Sequence, residues 1–117
     1  MKTLLTIALL ALAVAVPASA ATPPTLTGTV GPGFTITLKK GTTKVTSLKA
    51  RAYKFVITDK SSMHNFHLKG PHGYSKVLTG IGYVGKKTYT ITLTPGTWSY
   101  VCDPHVSSMH GSFKVTR

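Results

Sequence analysis

Residues 88–102 constrain the fold of this chain more than any other stretch. Tyr89, Ile91 and Leu93 alternate with threonines, Pro95-Gly96 interrupts the run, and Trp98, Tyr100 and Cys102 alternate again beyond it. Apolar residues at period two on both sides of a Pro-Gly turn predict a β-hairpin with one face in a core. A helix over the same residues would scatter those side chains around its circumference. Cys102 shares the inward side of its strand with Trp98 and Tyr100, so its sulfur is expected to point inward at the strand's end.

The rest of the chain reads the same way. Residues 26–30 and 34–38 predict short strands joined through Gly31-Pro32-Gly33, with Phe34, Ile36 and Leu38 on one face. Lys39-Lys40-Gly41 turns the chain, and residues 50–58 form another strand with Tyr53, Phe55 and Ile57 together. Residues 63–68 resume extended structure, Gly70-Pro71-His72-Gly73 is a loop, and residues 113–116 close the chain as a last strand. Residues 74–85 show no clear pattern. No long helical pattern occurs beyond residue 20, and no internal repeat or domain boundary is visible. The fold class expected is all-β, an antiparallel sandwich or barrel.

Residues 1–20 do not belong to that domain. A short basic start (Met1-Lys2-Thr3), an apolar run over residues 4–16 and Pro17-Ala18-Ser19-Ala20 form a secretory signal with cleavage near Ala20. The run is too short to span a bilayer comfortably. Residues 21–117, 97 in number, then form a single domain, and the mature chain has no transmembrane segment. Export to a periplasmic or extracellular location follows from the signal.

Charge narrows the partners. The sequence has 14 lysines and arginines against two aspartates and no glutamate, a net charge of +12 that becomes +11 once Lys2 leaves with the signal. Such a surface favours anionic partners. Nucleic acid is not expected, because the lysines are scattered along strands and turns and the protein is exported. An acidic redox partner is, and the chain is expected to be a monomer.

Cys102 is the only cysteine, so it has no intramolecular partner in an oxidising compartment. His105 follows three residues on and Met109 four after that. Thiolate, imidazole and thioether from one short loop are a soft donor set that suits copper far better than magnesium or calcium. A fourth donor must come from elsewhere, and residues 64–67 (HNFH) are the only other dense histidine cluster. If Phe66 and Leu68 face the core, strand parity directs His64 inward and His67 outward, unless a bulge reverses it.

Cys102-x2-His105-x3-Met109 at a strand end, with His64-Asn65 far upstream, resembles the plastocyanin/azurin group of cupredoxins, the small blue copper proteins. The resemblance covers nearly all of residues 21–117. It implies a cupredoxin-like Greek-key β-sandwich and one type 1 copper, Cu(II)/Cu(I), per chain. By that resemblance His64, Cys102 and His105 are the strong ligands and Met109 a weak axial one. Asn65 would contact the cysteine-bearing loop and tune the site. His105, flanked by Pro104 and Val106, would be the electron port. Met63, His67, His72 and His110 are donors beyond the family's pattern, and Met63, His67 and His110 are the candidates for a weaker second copper site.

Three function classes stand at this stage. The first is an exported blue-copper carrier of single electrons, in which a basic surface steers an acidic partner and high salt slows exchange. The second is a copper-binding protein for buffering or delivery, suggested by the extra Met and His donors. The third is a metal-free binding module. An enzyme is not expected: Asp59 and Asp103 are the only carboxylates and form no acid–base pair, and an inward Cys102 is a poor accessible nucleophile.

Overall fold

The computed structural model describes residues 10–14 and 21–117. The basic start and the cleavage stretch of the expected signal lie outside the described residues. No described helix is long and apolar enough to cross a membrane.

Among the described residues ten strands form two sheets. They are β1 (Thr25–Val30), β2 (Ile36–Lys40), β3 (Thr43–Lys44), β4 (Ser47–Lys49), β5 (Arg51–Asp59), β6 (Phe66–Lys69), β7 (Ser75–Thr79), β8 (Gly85–Leu93), β9 (Gly96–Val101) and β10 (His110–Thr116). One sheet has the order β3-β2-β1-β5-β8 and the other β4-β10-β9-β6-β7. The architecture is a Greek-key β-sandwich, as expected. It is not purely antiparallel: β1 pairs in parallel with β5, and β4 with β10. Parallel neighbours need a crossover, and here the intervening strands supply it.

Alternation sets the core. Tyr53, Phe55 and Ile57 of β5, Ile91 and Leu93 of β8, and Trp98 and Tyr100 of β9 are all buried between the sheets. The Phe66 and Tyr100 rings stack at 5.4 Å. Gly111, opposite Tyr100 in the β9–β10 ladder, leaves room for that ring: a Cβ there would lie 2.3 Å from it. The predicted β8–β9 hairpin forms around Pro95, and Cys102 sits one residue past the end of β9.

Several expected boundaries are corrected. Phe34 is not in β2, which begins at Ile36. Gly31 and Gly33 adopt φ of 67° and 74°, and Gly31 N–H donates to Thr35 O at 2.8 Å, closing a loop that carries Phe34 away from the ladder. Residues 63–65 precede β6 rather than forming it, because a turn closed by His64 N–H to Ser61 O intervenes. Residues 43–49, outside the expected strands, contribute two short edge strands.

β1, β5 and β9 run towards one end of the sandwich, while β2, β6, β8 and β10 run away from it. Val30, Asp59 and Val101 mark that end. The loops leaving it carry the residues described next.

Candidate metal centre

Three side chains from two distant segments converge at this end. Cys102 is wholly buried and His64 is 3% exposed, while His105 is half-buried. His64 Nδ1 lies 3.1 Å from His105 Nδ1, and Cys102 Sγ lies 3.7 Å and 3.6 Å from the same two nitrogens. Among the described residues this is the one group of three or more His, Cys, Asp or Glu donors whose ligand atoms gather closely enough to hold a metal.

Backbone contacts hold the constellation. His64 Nε2–H donates to Gly33 O at 2.8 Å, which leaves Nδ1 as the nitrogen with a free lone pair. The Cys102 loop is tightly wound: His105 N–H donates to Cys102 O at 3.0 Å, Met109 N–H to His105 O at 2.8 Å, and Cys102 N–H to Met109 O at 3.0 Å. Met109 is wholly buried. Its backbone pairs with that of Cys102 across the base of the loop.

Asn65 joins the two segments. Its Nδ2 donates to Asp103 Oδ2 at 2.7 Å and its Oδ1 accepts from Asp103 N–H at 2.8 Å. His67 Nδ1–H donates to the same carboxylate at 2.9 Å, while its Nε2 meets Ser75 Oγ at 2.6 Å. Burial pushes the Asp103 carboxyl up, but bonds from Asn65 and His67, with the charges of His67 and Lys69, hold it below the usual carboxylate range.

Among the described residues, neither His67 nor His110 belongs to a group of three or more donors close enough to hold a metal. Both ring nitrogens of His67 are engaged, His110 Nδ1–H donates to Val106 O at 2.7 Å, and Met63 is 62% exposed. His72 sits in the loop at the other end of β6. His64 is the inward histidine, but the turn before β6 aims it, not strand parity. The irregularity between Phe66 and His67 shows how little parity would have guaranteed.

Sequence reasoning missed Phe34 and Gly33. The Phe34 ring lies 4.9 Å from that of His105, edge-on, and 5.5 Å from that of His64. It is 58% exposed and, with Val106 and Met63, gives this end an apolar rim. The only signal was the pair of glycines flanking Pro32, which allow a loop where alternation suggested a strand.

Comparison with solved structures places the fold. Reduced rusticyanin superposes with a TM-score of 0.55 at 20% identity, covering 82% of this chain and 82% of that one. The copper protein rusticyanin gives 0.54 at 20% identity, covering 81% and 80%. Rusticyanin from Thiobacillus ferrooxidans gives 0.50 at 23% identity, covering 81% and 79%. The fold is that of a cupredoxin. At these identities the likeness is one of fold. No protein-family model matches the chain, and a search of curated proteins finds no match.

The donor triangle fits a copper-sized ion. A point equidistant from the three atoms lies about 2.0 Å from each, close to the roughly 2.0–2.3 Å of metal–nitrogen and metal–sulfur bonds. Two imidazoles and a thiolate are also the trigonal set that cupredoxin chemistry uses.

Proposed function

We propose that this protein is an exported type 1 copper protein that carries single electrons between redox partners. His64 Nδ1, Cys102 Sγ and His105 Nδ1 would hold the ion, with Met109 as a further, weaker donor. The observation that carries the reading is the buried triangle of those three atoms. Residues 1–20 are taken as the secretory signal and residues 21–117 as the monomeric domain it exports to a periplasmic or extracellular location.

Copper supplies a one-electron couple between Cu(II) and Cu(I). The chain's part is to move little when the charge changes. His64 is pinned by Gly33 O and the Cys102–Met109 loop by three backbone bonds. Asn65 ties that loop to the His64 segment. Donors fixed by independent bonds would shift little between the two oxidation states. Cys102, His64 and Met109 are all nearly or wholly inaccessible to solvent, which would shield the ion from water on their side.

His105 is the port, since it is the ligand with an accessible surface and it lies inside the rim of Phe34, Val106 and Met63. An apolar rim favours a short-lived contact that sheds water between donor and acceptor. An acidic redox partner is drawn by the net positive charge and meets Lys60 and Lys86 at the same end of the sandwich.

Titration of residues 21–117 with Cu(II), followed by visible absorption and EPR, tests this. An intense thiolate-to-copper band with a small hyperfine splitting, absent in Cys102→Ala, is expected. An ordinary tetragonal spectrum that survives Cys102→Ala would replace the carrier with copper buffering or delivery. No binding would end both.

A further inference from the structure

Charge in this sandwich is polarised along its long axis. The side-chain carboxylates of the whole sequence are two, and both lie at the metal end: Asp59 closes β5 opposite Gly85, and Asp103 follows Cys102. Strand register places Lys39, Lys40 and Lys44 of one sheet, and Lys49 and Lys114 of the other, towards the opposite end. Arg51, the first residue of β5, lies there too. The eight steps of β5 separate the two ends by about 26 Å, beyond a Debye length at physiological salt. The aspartates therefore do little to neutralise the far end.

Apolar exposure is polarised the other way. Within residues 21–117, the exposed large apolar side chains are Phe34, Met63, Val77, Ile81, Val84 and Val106. All six lie in the metal half, on its loops or on β7 beside His67. The cationic end has none. It carries instead a recess of about 320 Å³ whose lining includes Lys40, Lys44, Thr43, Thr46 and Ser47, with Val45 and Leu48. Ammonium and hydroxyl donors together suit the oxygens of a phosphate group.

We propose that this cationic end is an attachment face for an anionic phospholipid surface, which it holds by headgroup phosphates while the metal end points away. A bilayer is favoured because the cations come from both sheets and cover a broad end rather than track along a groove. A plane of phosphates can meet them all at once. With no exposed apolar anchor at that end, attachment is electrostatic, without insertion, and reversed by salt. Tethering in this orientation leaves the rim around His105 open to a partner. The attachment depends on no metal and stands or falls separately from the copper reading.

The test is cosedimentation of residues 21–117, which contain both complete sheets, with phosphatidylcholine vesicles made with and without phosphatidylglycerol. Binding to the anionic vesicles alone, lost at high salt, is expected. Lys40→Glu/Lys44→Glu should weaken it about 25-fold or more, from the worth of each cation near such a surface. Lys60→Glu/Lys86→Glu makes the same change in net charge at the metal end and should weaken it less than about threefold. Equal losses in the two variants would mean that net charge alone acts, and would overturn the proposal. So would capture by soluble polyphosphate or an acidic protein without vesicle binding, or release by inorganic phosphate at matched ionic strength, which would mark a site for the free ion.

Discussion

Replacing Asn65 with alanine tests whether the metal centre is held together before any metal arrives. Asn65 is 3% exposed and makes two of the bonds that join the His64 segment to the Cys102 loop, beside the bond from His67 to Asp103. Hydrogen bonds to charged groups contribute about 1.5–3 kcal/mol and neutral ones about 0.5–1.5 kcal/mol, so the pair is worth about 2–4 kcal/mol. Asp103 has a side chain 41% exposed, which lets water replace part of the lost bond and points to the lower half of that range. A loss of about 2 kcal/mol lowers the Tm of a domain this size by about 8–16 °C. Urea unfolding and calorimetry of the metal-free protein measure it. Asn65→Asp keeps an acceptor for Asp103 N–H but sets two carboxylates in contact, so its loss should be larger at neutral pH than in acid. A cost below about 0.5 kcal/mol for Asn65→Ala would refute the idea that this side chain clamps the two segments.

Gly111→Ala should destabilise by about 1–3 kcal/mol in urea unfolding, because the new Cβ lies 2.3 Å from the Tyr100 ring between adjacent strands. Phe34→Ala should leave unfolding nearly unchanged, since the ring is 58% exposed, yet speed removal of copper by a chelator through the uncovered face of His105. The Asp103 carboxyl is held below the usual range, so its stabilising contribution is fully present above the unfolded value of about 3.9 and is lost as pH falls through the lower folded one. Asp103→Asn should therefore leave the shape of the acid titration of metal-free stability unaltered above about pH 4 and flatten its fall below that.

The strand pattern, the sandwich and the donor types were legible in the sequence because they depend on local spacing. Alternation around Pro95-Gly96 specified the β8–β9 hairpin and the inward side of Cys102, and the short intervals to His105 and Met109 confined three donors to one loop. Where the chain leaves the ladder was not legible. Phe34 looks like a strand residue until the positive φ of Gly31 and Gly33 turns it out against the histidines. His64 faces Cys102 because the Ser61–His64 turn and a bond to Gly33, 31 residues away, hold it there. Composition likewise gave the number of charges but not their arrangement. The register of two sheets gathered six of the cations at one end and left both aspartates at the other. Period and short-range spacing are properties of the chain itself. The aim of a loop and the distribution of charge in space arise only when segments far apart in sequence pack against each other.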